Sequence, residues 1–144
     1  MHIEIRDEHF DAYAEVQVWQ QQMAQQGKFG ATSVFVGTMR DFNDGDDVQG
    51  MVLEHYPGMT EKHLSSISLQ AAERWQILDS LIIHRVGQVV PGDTIVLVAV
   101  WAAHRAAAYE ANRYLMEELK SKAPFWKKEQ LSQGERWVEK NTPG

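Results

Sequence analysis

The chain has 144 residues, 44% apolar and 24% charged, with a formal charge of −6 and no cysteine; this suits one soluble domain over residues 1–144 with a hydrophobic core of its own. The missing thiols exclude disulfides, thiolate metal sites, persulfide chemistry and a cysteine nucleophile. No stretch approaches the roughly 18 apolar residues of a membrane span, and an acidic chain lacks the broad basic face that nucleic-acid binding demands.

Met1-His2-Ile3-Glu4-Ile5-Arg6-Asp7 has no basic segment leading into an apolar one, so no secretory signal is expected and the expected setting is cytoplasmic. His2 to Arg6 reads as a short strand. Asp7 to Gln26 reads as an amphipathic helix, with Ala12, Val16, Trp19 and Met23 at steps of 4, 3 and 4, and Gly27 is expected to end it. Ala31 to Met39 is a β-rich run, followed by the polar stretch Arg40 to Asp47 with a turn signal at Asp44-Gly45. That acidic stretch is no EF-hand loop, because Asp46 and Val52 stand where glycine and glutamate are required. Val48 to Tyr56 is the returning strand, broken by Pro57-Gly58. A second helix over Thr60 to Trp75 buries Leu64, Ile67, Ala71 and Trp75. Leu81 to Val86 and Thr94 to Trp101 form two strands around Pro91-Gly92. Ala103 to Lys122 is a third helix with Ala108, Ala111, Leu115 and Leu119 on one side, stopped by Pro124. Phe125 to Leu131 and Arg136 to Lys140 close the chain as short strands around Gly134. Short turns between several strands favour an α+β fold with a mixed or antiparallel sheet and three main helices.

Charge is unevenly placed. Residues 1–100 hold 6 Lys/Arg against 14 Asp/Glu, whereas residues 101–144 hold 8 against 6. Lys120, Lys122, Lys127 and Lys128 fall within nine residues, and no acid follows until Glu129. A solvated face usually mixes signs, so this segment reads as the wall of an anion site for a small ligand or a peptide carboxylate. Lys120 in the last turn of a helix also suits the helix dipole. Lys127 and Lys128 are neighbours in a strand and point to opposite faces, so at most one shares a pocket with Lys120. A lysine crowded by cations becomes a usable acid or base near neutral pH, or it binds phosphate as a point charge; both readings stand. His104-Arg105 puts cations at a helix start that has no Ser, Thr, Asp or Asn cap, as expected where an external anion supplies the charge; pairing of Arg105 with Glu110 or Glu117 is the alternative. Arg40 ends a strand, where a side chain is well placed to face a ligand. His84 within a strand reads as a packed, hydrogen-bonded histidine.

Several blocks together resemble one family. They are Phe35-Val36-Gly37-Thr38-Met39-Arg40, Leu53-Glu54-His55-Tyr56-Pro57-Gly58-Met59-Thr60, His84-Arg85-Val86-Gly87, Pro91-Gly92-Asp93, Ala103-His104-Arg105, Ala123-Pro124-Phe125-Trp126-Lys127-Lys128-Glu129 and Arg136-Trp137-Val138-Glu139. In this order, over about residues 30 to 140, they resemble the large, catalytic subunit of molybdopterin synthase, with Met39 where that family commonly has valine. The resemblance implies an α/β hammerhead fold and a central homodimer. Each protomer would bind one small ubiquitin-like sulfur carrier, giving a heterotetramer. The carrier's C-terminal Gly-Gly thiocarboxylate would supply the sulfur that converts cyclic pyranopterin monophosphate (precursor Z) to the dithiolene of molybdopterin. By motif, Lys120 and Lys127 match the two key lysines, catalytic as well as substrate-binding. Arg40, His104 and Arg105 match substrate-binding positions, as do Thr38, Met39, Lys128 and Glu129. No cofactor and no metal are expected, and the absence of cysteine fits a reaction whose sulfur arrives on the partner.

Overall fold

The computed structural model describes residues 1–139. Its first sheet contains β1 (His2–Arg6), β2 (Ala31–Thr38), β5 (Asp79–Arg85) and β7 (Thr94–Ala102) in the order β1-β5-β7-β2. Only the β1–β5 pair is parallel. β5 and β7 lie in the middle and are buried along almost their whole length, which their continuous apolar sequences require when both faces are covered. Side chains alternate between two cores. Ile82, Val96, Val98 and Val100 meet Leu64, Ile67 and Ala71 of α2 (Met59–Trp75) and Ala111, Leu115 and Leu119 of α3 (Arg105–Lys122). Leu81, Ile83, Leu97, Ala99 and Trp101 face the other way, against Phe10, Met23 and α1 (Ala12–Gln22).

The second sheet is built around β4 (Asp46–His55). It runs β3 (Phe42–Asn43), β4, β8 (Phe125–Leu131), β9 (Gly134–Trp137), with β6 (Gly87–Val89) also pairing to β4. Every pair in it is antiparallel. A separate apolar cluster of Met39, Val48, Met51, Leu53 and Val89 lies beneath it. The described residues therefore form an α+β fold, with one mixed and one antiparallel sheet and three helices among them.

Two side chains tie the layers together where the site forms. The buried Asn112 of α3 donates to the carbonyls of Val98 (3.0 Å) and Ser33 (3.1 Å). Thr60, fully buried at the start of α2, accepts from the Tyr56 amide at 3.0 Å and donates to the Pro124 carbonyl at 3.1 Å. The second bond fixes the corner between α3 and β8.

Several boundaries differ from the sequence reading. The first helix is shorter than Asp7 to Gln26: Asp11 caps it by accepting from the amides of Tyr13 and Ala14, and a cap side chain outcompetes the four residues before it. Its end is at Gln22, before Gly27, where the Gln26 side chain takes up the carbonyls of Gln20 and Met23. The polar stretch folds as a hairpin tip, with Asp44 and Gly45 both at positive φ (50° and 80°) as a tight two-residue turn requires; this adds β3 and extends β4 back to Asp46. β6 has no counterpart in the sequence reading. The final strand starts at Gly134, earlier than Arg136, and its expected end at Lys140 lies outside the described residues.

Leu115 is fully buried in the larger core, whereas Tyr109 on the same helix is 68% exposed. Leu115→Ala should cost about 2–5 kcal/mol in urea unfolding through lost contacts and a residual cavity, and Tyr109→Ala should stay within about 0.5 kcal/mol of the parent.

Candidate active site

Between the two sheets lies a cavity of about 620 Å³, within the range that takes a small organic ligand. The exit of β2 forms one wall. Pairing with β7 slips at Gly37/Thr38, and the chain is then clipped to the next turn by bonds from the Met39 amide to the Asp93 carbonyl and from the Gly92 amide to the Met39 carbonyl, both 2.9 Å. Met39 is thereby buried while Thr38 and Arg40 emerge on either side of it. All three line the cavity. Gly37 lines it too, and a Cβ there would meet Val96 at 2.7 Å, so the close approach of the two strands needs glycine. The Arg40 guanidinium lies 4.9 Å from the centre of the Phe42 ring, a cation–π contact that holds it at the rim.

The opposite wall comes from the corner after α3. Lys120 sits in the last turn of the helix; Ala123 is extended (φ −69°, ψ 137°), as the residue before a proline must be. Pro124 then starts the path into β8. Phe125, Lys127 and Glu129 alternate onto the cavity face of that strand. The break and the strand alternation bring Lys127 beside Lys120 on one wall of the cavity. Burial first, then the charge and hydrogen bond of Lys120 and the charge of Arg40, push the Lys127 pKa down to about 7, against an opposing pull from Glu129. The structure thus turns one member of the pair into an amine that gains and loses its proton near neutrality.

Glu129 is buried, and its Oε1 is occupied by Arg136 Nε (2.9 Å) and Asn43 Nδ2 (3.3 Å). Deeper in the cavity, His84 stacks on Phe125 at 3.8 Å with planes 13° apart. Its Nδ1 is 2.7 Å from the Arg85 carbonyl; a carbonyl only accepts, which places the ring proton on Nδ1. Burial pushes the His84 pKa down to about 3, helped by the charges of Lys127, Lys120 and His55 and opposed by the bond to Arg85. His84 is thus a neutral wall beside two amines.

Of the residues singled out in the sequence, Thr38, Met39, Arg40, Lys120, Lys127 and Glu129 come together at this cavity. Lys128 does not: it is on the other face of β8, 3.0 Å from Glu135 and 5.5 Å from the Trp137 ring centre. His104 and Arg105 are exposed at the start of α3, where His104 caps the helix by backbone alone with no side-chain bond. Arg105 opens the helix and Lys120 lies in its last turn, so at about 1.5 Å per residue they stand about 22 Å apart along the axis. His84 reads from the sequence as a packed strand histidine, and it is one; what the sequence hides is that the same ring lines the cavity, because its partner Phe125 is distant in the chain. Phe35 and Asn43 also line the cavity without having been singled out. Among the described residues no group of three or more His, Asp or Glu is placed to hold a metal ion.

A lysine pair, an arginine and a neutral imidazole around a partly open cavity suit an anionic ligand and proton transfer to it. The family model described as "MoaE protein" matches residues 5–122. A curated relative from Haemophilus influenzae named molybdopterin synthase catalytic subunit is 53% identical over 137 residues, 95% of this chain and 89% of the relative. Among solved structures, molybdopterin synthase from Staphylococcus aureus aligns with a TM-score of 0.84 and 32% identity, covering 95% of this chain and 96% of that one. A complex of subunits 1 and 2 of molybdopterin-converting factor from Helicobacter pylori 26695 aligns with a TM-score of 0.80 at 21% identity, covering 97% and 92%, a likeness of fold. With its family model across most of the chain, and half its residues shared with a named catalytic subunit, the chain belongs to the MoaE family of molybdopterin synthase catalytic subunits.

Proposed function

We propose that the cavity is where sulfur passes from the C-terminal Gly-Gly thiocarboxylate of a small ubiquitin-like carrier subunit to precursor Z, two carriers being used in turn to build the dithiolene. The observation that carries this reading is the Lys120–Lys127 contact at the cavity wall, with Lys127 poised near neutrality. The thiocarboxylate sulfur bonds to a pterin carbon in place of an oxygen that leaves, and water then takes the acyl carbon as its bond to sulfur breaks, releasing the carrier as a carboxylate. Negative charge thus builds on the acyl oxygen while protons move at the pterin. Lys120, at the mouth of the helix end, orients and polarises the acyl carbonyl, an electrostatic role. Lys127 accepts and returns protons at the pterin. Arg40 binds the cyclic phosphate from the opposite wall, and Thr38 and Met39 shape that side. Glu129 serves substrate by fixing the wall, its carboxylate being held by Arg136 and Asn43.

His104 and Arg105 cannot share a small pterin with Lys120 of the same protomer over about 22 Å. In the homodimer we assign them to the cavity of the second copy, where an uncapped helix start and two cations meet the phosphate. Lys128, paired with Glu135, serves the sheet's outer face. The assembly is a heterotetramer of two catalytic subunits and two carriers; the Helicobacter pylori protein that shares this fold is part of a complex of two subunits, and a partner subunit of this kind fits the reading. The same reading sets the reaction in the cytoplasm, and none of the described helices is long and apolar enough to cross a membrane.

In a reaction of thiocarboxylated carrier, precursor Z and this protein, Lys120→Ala and Lys127→Ala should each reduce molybdopterin formation by about 10²- to 10⁴-fold, with carrier binding retained. Full activity in either variant removes that lysine from the mechanism, and a parent chain that binds carrier but forms no product overturns the sulfur-transfer reading. A second expectation concerns pH. With its pKa at about 7, Lys127 is mostly ammonium below that pH and mostly free amine above it, so single-turnover product formation should rise with pH through about 7. Lys127→Arg, protonated throughout, should lack this rise. A parent profile that stays flat there would rule out Lys127 as the base.

A further inference from the structure

Beyond its hold on Glu129, Arg136 makes two further bonds, and all three converge on the cavity rim. Its Nε donates to Glu129 Oε1 at 2.9 Å, its Nη1 to Asp46 Oδ2 at 2.7 Å, and its Nη2 to the Asn43 carbonyl at 2.9 Å. Glu129 belongs to β8, whereas Asn43 and Asp46 lie on the two strands of the β3–β4 hairpin. A second link runs parallel, from Asn43 Nδ2 to the same Glu129 oxygen. The hairpin itself is short: two register pairs and the Val48 amide bonded to the Asp41 carbonyl at 2.8 Å. Its base is anchored by the buried Val48, but its tip has little apolar packing, since Phe42 is 53% exposed. It nonetheless carries Phe42 under Arg40 and places Asn43 in the cavity wall.

We propose that Arg136 is a positioning residue that clamps the β3–β4 hairpin to β8 and so keeps Arg40 and Phe42 at the rim of the cavity. The planar guanidinium suits the task, because one group must satisfy a buried carboxylate, an exposed carboxylate and a carbonyl in fixed directions; a lysine ammonium offers no such fork. The clamp also keeps the Glu129 carboxylate committed, so that it does not close an ion pair with the neighbouring lysine. This role rests on the proposed sulfur transfer only for its kinetic consequence.

The test has two arms. In amide hydrogen exchange on the full chain, Arg136→Ala should lower protection at residues 42–48 by about tenfold, a local opening, leaving β5 and β7 unchanged. Asp46→Ala, which removes only the exposed contact, should act in the same direction and more weakly. In the synthase reaction Arg136→Ala should raise KM for precursor Z by about tenfold and lower kcat by a smaller factor, the freed Glu129 now favouring the ammonium form of Lys127, and Arg136→Lys should recover only part of the loss. Unchanged hairpin protection would overturn the proposal, as would a loosened hairpin with unchanged KM, full rescue by lysine, or loss of protection spreading into β5 and β7 in both variants. A parent protein without sulfur-transfer activity would sink the functional reading alone, and the exchange arm would then decide the clamp.

Discussion

Two ammonium groups in contact repel, and one of them here is stripped of most of its water, so the pairing of Lys127 with Lys120 persists only because rigid elements hold each stem in place. Lys120 is carried by α3, whose Leu115 and Leu119 are sunk in the main core and whose Asn112 is bonded to strand carbonyls. Lys127 is carried by β8, paired along its length with β4. Thr60 locks the corner between them by its bond to Pro124. The unfavourable contact is relieved chemically: Lys127 gives up its proton near neutral pH, as groups at functional sites commonly do. Much of the remaining architecture serves to keep that contact from relaxing sterically.

The surroundings are arranged so that nothing cancels the effect. His84 sits beside both lysines, and burial together with their charges keeps it neutral against the opposing pull of its bond to the Arg85 carbonyl. A charged imidazole would add a third cation, and a carboxylate in its place would pin Lys127 as an ammonium. Glu129 is the acid on the cavity face of β8, and its oxygen is taken by Arg136 and Asn43. The local cationic field thus survives inside a protein whose net charge is −6. Acidic residues elsewhere pair with other partners, as Arg6 does with Glu4 and Glu15.

The sequence carried much of this, for identifiable reasons. Helical periodicity placed α2 and α3 nearly to the residue, because Leu64, Ile67, Ala71 and Ala108, Ala111, Leu115, Leu119 mark faces that meet one core. Strand alternation puts Lys127 and Lys128 on opposite faces, and Lys127 is the one that shares the cavity with Lys120. The parts that were not legible depend on distant partners. The first helix began late because Asp11 competes as a cap, a choice that periodicity alone does not see. β6 exists because Gly87–Val89 meets β4, not because three residues prefer to be a strand. His84 becomes part of the cavity only by stacking on Phe125, and Arg136 becomes a clamp only when Asp46, Asn43 and Glu129 converge on it.

The long third helix sets the last constraint. Its C-terminal turn delivers Lys120 to the cavity, where a cation suits the dipole, while its start presents His104 and Arg105 against the dipole with no side-chain cap. A single protomer has no use for both ends at one small substrate, since the helix is too long to bend around it. The proposed symmetric dimer would: a two-fold axis repeats every contact in both directions, so the cationic start of one helix would complete the site that the end of the other begins. On that arrangement the uncapped helix start is a binding feature rather than a local flaw.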